Sequence, residues 1–152
     1  MEAFEVYINW AYEQKLDMAF MSELPDLHNP PSYMNLGLVW QLGSYLQNDD
    51  FCNAVIDRVL EKREVHKGSI GHTTLRRLWE ILPPQSGMRR LVRDITISVS
   101  SAKRLNRAIF DVPYDLLLDI ARYHAEGREE YLPTYAERCT YHTHASGDKT
   151  CT

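Results

Sequence analysis

The stretch LGLVWQLGSYLQNDDFCNAVID, from Leu36 to Asp57, decides the fold because it predicts two helices joined by a tight turn. Helical spacing places four apolar side chains on one side of a helix that runs from about Met34 to Leu46. The four are Leu38, Val39, Leu42 and Leu46. The apolar positions of the helix that follows the turn QNDD are Phe51, Ala54, Val55, Val59 and Leu60. Because so short a turn reverses the chain, the two helices are expected to form an antiparallel hairpin.

Two residues of the first hairpin helix depart from this pattern. Gly43 lies inside the helix, where glycine costs stability unless a neighbouring element packs close to it. Trp40 falls beside the face formed by the leucines and the valine. A tryptophan in such a place is expected to pack on a neighbouring element or to anchor a partner.

A further helix is predicted before the hairpin. Its apolar positions follow the i, i+3, i+4, i+7 spacing of one helical face. They are Phe4, Tyr7, Ile8, Ala11 and Tyr12. Residues 16–21 (LDMAFM) form a short apolar patch that suits either a strand or a tucked loop. Residues 22–33 contain three prolines and few apolar side chains, so they predict a loop.

Three more helices are predicted after the hairpin. The first, Thr73–Leu82, ends at two prolines, and the second opens at Ser86 or Gly87. The end of the second stays open, because residues 95–100 (ITISVS) also alternate like a strand. The third begins near Pro113, which suits a first helical turn, and ends near Gly127. The expected buried positions are Leu75, Leu78, Trp79, Leu82, Met88, Leu91, Val92, Ile95, Val99, Leu116, Leu117, Ile120 and Ala121.

The sequence therefore predicts an all-α protein made of a helix, an antiparallel helical hairpin and a helical extension. Hydrophobic residues make up 44% and charged residues 25% of the 152-residue chain, which is typical of a globular fold. We assign residues 1–63 to the helix and hairpin, 64–130 to the extension, and 131–152 to a polar, flexible tail. A helical repeat array is the alternative architecture, although the segments share no repeat period.

The sequence predicts an intracellular protein, either cytoplasmic or nuclear. The first residues, MEAFEVYINWAYEQ, lack the basic and apolar segments of a secretory signal. No stretch approaches the roughly 18–20 apolar residues that cross a bilayer, so no membrane association is expected. The three cysteines, Cys52, Cys139 and Cys151, are an odd and sparse set, which does not suggest a disulfide framework.

Charge is distributed unevenly along the chain. Residues 62–107 hold eleven Lys or Arg against three acidic residues, whereas the rest holds six against eighteen. Such a basic segment can attract acidic partners, or it can lie on solvated helix surfaces. The arginines that could line a basic surface are Arg76, Arg77, Arg89, Arg90, Arg93, Arg104 and Arg107, together with Lys103. A net charge of -4 and the absence of a nucleic-acid-binding motif argue against nucleic acid as the partner.

Three stretches of the chain resemble parts of one known family. Leu36–Asp57 resembles the helical hairpin that closes BTB/POZ domains, particularly in the large fungal group of BTB proteins. Phe4–Asp17 is similar to the helix and short exit before that hairpin, and residues 74–95 resemble the helical extension that follows the BTB fold. BTB domains begin with a strand-rich half, and this chain starts in what resembles the late helical half. The strand-rich half would then be lost, or the sequence would be a fragment or begin at a misplaced start.

The resemblance implies a protein-interaction role without catalytic activity. BTB domains typically self-associate, and many recruit cullin-type ubiquitin ligases, so a scaffold or adaptor with a protein partner is expected. Apolar side chains that the strand-rich half would cover are then candidates for partner binding. These candidates are Phe4, Tyr7, Trp10 and Trp40.

The tail contains a candidate metal site. Cys139, His142, His144 and Cys151 lie within thirteen residues, and thiolates and imidazoles are the ligands of a tetrahedral zinc site. In an extended segment, His142 and His144 point to the same side. The spacing C-x2-H-x-H-x6-C differs from that of standard zinc fingers, so a mobile tail with incidental Cys and His is the alternative. If zinc binds, we expect a closed structural site, and a zinc-binding or nucleic-acid-linked regulator is the alternative function.

The sequence gives little support for catalysis. It contains no phosphate-binding loop, no G-x-S-x-G motif and no H-E-x-x-H motif. Cys52 lies between apolar residues, so we expect a core position for it rather than a nucleophile beside His66 or His72. Asp115 and Asp119 share a helix face, as a pair of catalytic carboxylates could. We expect instead that they interact favourably with the positive N-terminal end of the helix dipole.

Overall fold

The computed structural model describes residues 2–18, 31–100, 112–127, 132–144 and 151, and these residues form no strand. The α-helices are α1 (Glu2–Glu13), α2 (Tyr33–Tyr45), α3 (Asp49–Val65), α4 (His72–Ile81), α5 (Gly87–Val99) and α6 (Tyr114–Ala125). A short 3-10 helix, η1, covers Tyr135–Thr140. The all-α prediction is confirmed over these ranges, and the alternating ITISVS segment is helical up to Val99. None of the helices described is long and apolar enough to cross a membrane.

The α2–α3 hairpin forms as the sequence predicts. Asn48 caps α3, because its side-chain oxygen accepts a hydrogen bond of 2.9 Å from the amide of Phe51. Gly43 explains how closely the two helices approach. A Cβ atom at Gly43 would lie 2.6 Å from Cδ1 of Phe51 and 2.9 Å from Sγ of Cys52. The helix cost of glycine is therefore offset by tight packing of α2 on α3.

The buried face of α2 differs from the predicted one. Leu36, Val39, Trp40 and Gly43 are buried, whereas Leu38 and Leu46 are exposed. Leu42 is half-buried. Apolar residues occur on more than one side of α2. Their periodicity therefore does not identify the side that is buried. The close approach at Gly43 turns the side with Trp40 inward, and only 5% of Trp40 is exposed.

The buried face of α1 also differs from the predicted one. Val6 and Trp10 are buried, while Phe4, Ile8 and Tyr12 face solvent. The rings of Tyr7 and Trp10 each lie 5.0 Å from the ring of Phe51, measured between centroids. Because α1 is apolar on both sides, the aromatic side chain of α3 decides which side packs inward.

A side-chain cluster joins α4, α5 and the start of α6. The indole N–H of Trp79 donates to the carboxylate of Asp115 at 2.9–3.0 Å. The guanidinium of Arg89 lies 4.0 Å from the Trp79 ring centroid and 3.3 Å from an oxygen of Asp115. It also donates to the backbone carbonyls of Trp79 and Leu82 at 2.9 and 2.8 Å. Asp115 is thus an acceptor that ties three helices together.

Residues 132–144 pack against α3 and α5, a contact that the polarity of this segment does not predict. Tyr141 is fully buried, and its hydroxyl donates to Asp94 of α5 at 3.0 Å. Arg90 donates to the carbonyl of Thr140 at 3.0 Å. A Cβ atom at Gly87 would collide with the carbonyl oxygen of Tyr141, so glycine at the start of α5 makes room for the segment. Residues 131, 145–150 and 152 of the predicted tail lie outside the described residues.

Candidate metal centre

The backbone around His142 and His144 is held against α3 by Asn53. The side-chain oxygen of Asn53 accepts from the amide of Thr143 at 2.9 Å, and its side-chain nitrogen donates to the carbonyl of Thr143 at 3.0 Å. This reciprocal pair fixes the residue between the two histidines. Residues 142–144 have no helical structure, and the two imidazole centroids lie 5.9 Å apart. Both imidazoles approach Cys151, as the predicted extended segment requires.

The structure brings together three of the four candidate ligand residues predicted from sequence, and it places His142 beside one of them, Cys151. Sγ of Cys151 lies 3.3 Å from Nδ1 of His142 and 3.8 Å from Nε2 of His144. One ligand atom each from Cys139, His144 and Cys151 all lie within 4.8 Å of one another. The amide of Cys151 donates to Sγ of Cys139 at 2.9 Å, and the Cα atoms of the two cysteines are 5.8 Å apart. The sulfurs of Cys139 and Cys151 and an imidazole nitrogen of His144 therefore meet in one place, with the ring of His142 beside Cys151.

The second nitrogen of His142 is bound by a carboxylate. Nε2 of His142 lies 2.8 Å from Oδ1 of Asp57 on α3, and the side chain of His142 is only 7% exposed. If Nε2 carries the proton that it shares with Asp57, Nδ1 is left with a free lone pair directed at Cys151. Metal-binding histidines commonly have this arrangement, in which a carboxylate orients the ring and makes it a better ligand.

Two distances around Cys151 lie near those of a tetrahedral zinc site, whereas its sulfur is at bonding distance from that of Cys139. Zinc bonds of about 2.3 Å to sulfur and about 2.0 Å to nitrogen place a bound sulfur and a bound nitrogen about 3.5 Å apart. The two sulfur–nitrogen distances of 3.3 and 3.8 Å lie on either side of this value. The soft thiolates and borderline imidazoles of this set suit zinc better than calcium or magnesium, which take oxygen ligands.

Cys139 and Cys151 are joined by a disulfide, a pairing that the sequence did not suggest. Their Cα separation of 5.8 Å lies within the range of about 4.4–6.8 Å that a disulfide requires. The same two sulfurs can thus be a disulfide or a pair of metal-binding thiolates, but not both at once. Cys52 is the free cysteine of the described residues. It is buried, and burial raises the pKa of its thiol to about 12, with the Asp49 carboxylate adding to this increase.

The residues predicted to bind a partner are placed differently from one another. Phe4 is 53% exposed, and Tyr7 is partly buried against Phe51. Trp10 and Trp40 are buried in the core, with 8% and 5% of their surface exposed. Both tryptophans thus belong to the core of the described residues, and their contact with a partner stays a prediction.

Several arginines of the basic segment are used within the protein. Arg89 binds two backbone carbonyls and Asp115, Arg90 binds Thr140, and Arg93 pairs with Asp94. Arg76 forms an exposed pair with Glu80. Lys103, Arg104 and Arg107 lie outside the described residues. Part of the predicted basic surface is therefore engaged in contacts within the protein.

Sequence reasoning missed Asn53 and Asp57. They occupy polar positions of α3, four residues apart and therefore on the same side of the helix. Nothing in the local sequence links them to a tail that begins more than seventy residues later, since polar residues on the outer side of a helix are ordinary.

No family model, curated protein or solved structure matches the chain. The resemblance to BTB/POZ domains rests on the three quoted stretches and stays a prediction.

Proposed function

We propose that this protein is a zinc-binding helical module, and that the metal fastens its C-terminal segment to the α2–α3 hairpin. The observation that supports the proposal most directly is the position of His142 between Cys151 and Asp57. One ring nitrogen lies 3.3 Å from the Cys151 sulfur, and the other lies 2.8 Å from the Asp57 carboxylate. A histidine that is oriented in this way by a carboxylate is suited to bind a metal.

The proposed zinc has a structural rather than a catalytic role. Cys139, His142, His144 and Cys151 supply four protein ligands, which fill a tetrahedral coordination shell. A catalytic zinc needs one open position for water or substrate, and this ligand set leaves none. In the proposal, zinc binding therefore contributes to folding free energy and stabilises a surface formed by α3 and residues 135–144.

The proposed zinc form requires reduced cysteines. Zinc binds thiolates, and oxidation of Cys139 and Cys151 to the disulfide removes both sulfur ligands. In a reducing compartment, as the sequence predicts, thiols persist and the metal form is favoured. An oxidising compartment favours the disulfide, which joins the same two positions of the chain.

The test is metal stoichiometry on protein that is purified and kept under reducing conditions. We expect one zinc per chain by elemental analysis, and a cobalt-substituted form with the visible absorption of tetrahedral thiolate coordination. Cys139→Ser and His142→Ala should each lose the metal. Cys52→Ser and His66→Ala are the matched controls, because Cys52 is buried elsewhere and His66 is exposed at the end of α3. Less than 0.1 zinc per chain in the reduced wild type would refute the proposal.

A second candidate function, protein–protein interaction, is favoured by the outer face of α1. Phe4, Ile8 and Tyr12 repeat every four residues on one side of the helix and are 53%, 37% and 85% exposed. Exposed apolar strips commonly mark association surfaces. Acidic residues flank this strip, whereas Arg76 and Arg77 are exposed on α4, so charge complementarity favours a second copy of the chain as the partner. A BTB-like scaffold that recruits a cullin-type ligase is a narrower form of this proposal and rests on the sequence resemblance alone.

Light scattering coupled to size-exclusion chromatography tests self-association. We expect a dimer or larger species at low salt, a shift towards monomer at high salt, and a monomer for the double variant Phe4→Ser/Tyr12→Ser. Exposed Tyr45 on α2 provides the control variant Tyr45→Ser. A wild-type monomer at all salt concentrations would exclude this second function.

A further inference from the structure

Arg63 is a buried cation with one guanidinium nitrogen that has no hydrogen-bond partner. It lies in the last turn of α3, and only 5% of its surface is exposed. Its Nε atom is fully buried and has no hydrogen-bond partner. A buried charge is costly unless it is paired and hydrogen-bonded. Arg63 therefore indicates that an acceptor is missing at this place in the fold.

The neighbours of Arg63 are also hydrogen-bond donors. The hydroxyl of Tyr33, at the start of α2, is buried without a partner. Burial raises the pKa of Tyr33, and the positive charge of Arg63 opposes this rise. The ammonium of Lys62 lies 5.1 Å from the Tyr33 ring centroid. Burial lowers the pKa of Lys62, and the Arg58 guanidinium lowers it further.

The acids closest in sequence are already used. Glu61 pairs with Arg58 at 2.9 Å, and Glu64 accepts from the amide of Tyr135 at 2.7 Å. The negative end of the α3 dipole favours cations in its last turn. That effect explains why Lys62 and Arg63 are tolerated here, but it supplies no acceptor for the Tyr33 hydroxyl or for Nε of Arg63.

The antiparallel hairpin adds a second source of positive potential. It places the N-terminus of α2 beside the C-terminus of α3, as the contact between Lys62 and Tyr33 shows. Ser32 caps one amide of α2 by accepting from Asn35, and further first-turn amides have no partner within the helix. Helix N-termini attract anions for this reason. Two cations, a hydroxyl and a helix N-terminus thus meet at one end of the hairpin.

We propose that this end of the hairpin binds a small oxyanion, a phosphate or carboxylate group, through the guanidinium of Arg63, the ammonium of Lys62 and the hydroxyl of Tyr33. The planar fork of arginine suits both kinds of oxyanion, and lysine adds a compact positive charge. The proposed anion site shares no residue with the proposed zinc centre. The zinc centre adjoins α3 at Asn53 and Asp57, which contact Thr143 and His142.

The test is thermal unfolding in increasing inorganic phosphate, compared with sodium chloride of equal ionic strength. We expect the midpoint to rise by roughly 5–10 °C at a hundredfold excess over the dissociation constant, and to rise further with the logarithm of the phosphate concentration. Arg63→Met should abolish the rise. Arg76→Met is the control, because Arg76 is an exposed arginine on α4 that pairs with Glu80. Shifts in both phosphate and acetate that equal the shift in chloride, or an unchanged response of Arg63→Met, would overturn the proposal.

Further measurements keep the proposal testable if Arg63→Met does not fold. Tyr33→Phe removes one hydroxyl and should weaken phosphate binding several-fold in a calorimetric titration, whereas an unchanged affinity counts against the site. Sodium acetate replaces phosphate in a parallel titration, and a response to acetate alone assigns the site to carboxylates.

Discussion

Asp57 offers the sharpest test of the proposed metal centre, because it touches the ligand His142 without being a ligand itself. We predict that Asp57→Ala lowers zinc affinity while leaving all four ligands in place. The 2.8 Å contact between Oδ1 of Asp57 and Nε2 of His142 holds the ring so that Nδ1 faces Cys151. Without the carboxylate, the ring can rotate and the proton can move to Nδ1, and both changes compete with metal binding.

The expected loss of affinity follows from this single contact. Carboxylates that orient metal-bound histidines contribute about 10–100-fold to metal affinity, which corresponds to about 1.4–2.7 kcal/mol. His142 is 7% and Asp57 26% exposed, so solvent screens this contact only partly and a value within that range is expected. Asp57→Asn keeps a hydrogen-bond acceptor but loses the charge, so it should lose less affinity than Asp57→Ala.

The assay is competition for zinc between the reduced protein and a chromophoric chelator. Glu61→Gln is the matched control, since Glu61 lies one turn further along α3 and pairs with Arg58 at the surface. We expect zinc affinity in this control to stay within a factor of two of the wild type. A change of less than threefold for Asp57→Ala, or an equal loss for Glu61→Gln, would refute the role assigned to the carboxylate.

Three further predictions concern stability. Arg89→Met should lower the free energy of unfolding by about 2–3 kcal/mol in urea denaturation, because it leaves two backbone carbonyls without their charged donor, whereas exposed Arg76→Met should change it by less than about 0.5 kcal/mol. Gly43→Ala should destabilise by about 1–3 kcal/mol in the same assay, because its Cβ overlaps side chains of α3, and Gly68→Ala, whose Cβ meets nothing within 4 Å, should not. Burial raises the pKa of Cys52 from 9.0 to about 12, so the folded protein holds more protons than the unfolded chain between these values and its stability should fall as pH rises through this window. The difference in urea midpoint between wild type and Cys52→Ala, measured from pH 8 to pH 10, isolates this contribution, and a difference independent of pH would contradict it.

The sequence predicted where the helices lie better than which sides of them are buried. Ser86 and Asn48 accept hydrogen bonds that start their helices, and these signals depend only on neighbouring residues. α4 and α5 each have one apolar stripe, and the rest of the helix surface carries polar or charged residues. The predicted buried positions of these two helices are largely correct. In α1, two adjoining sides are apolar, so the inner side was fixed by Phe51 of another helix. Periodicity within α1 contains no information about that neighbour.

The candidate site shows the same division between local and distant information. Cys139, His142, His144 and Cys151 are close in sequence, so their spacing alone suggested that they could meet. Asp57 contacts His142 across 85 residues of sequence, and the docked position of the tail depends on the room that Gly87 leaves on α5. Such contacts arise from packing between distant segments, and no single stretch of sequence encodes them.

Tyr141 has a consequence for how quickly the proposed centre could capture a metal. It lies between two ligands in sequence, and its fully buried ring and its bond to Asp94 hold the backbone in place without any metal. Part of the conformational entropy that Cys139 and His142 lose on binding would therefore already be lost in the metal-free protein. Such preorganisation favours rapid recapture of a dissociated ion. It also implies that an exchange of metal at this centre would leave the helical body almost undisturbed.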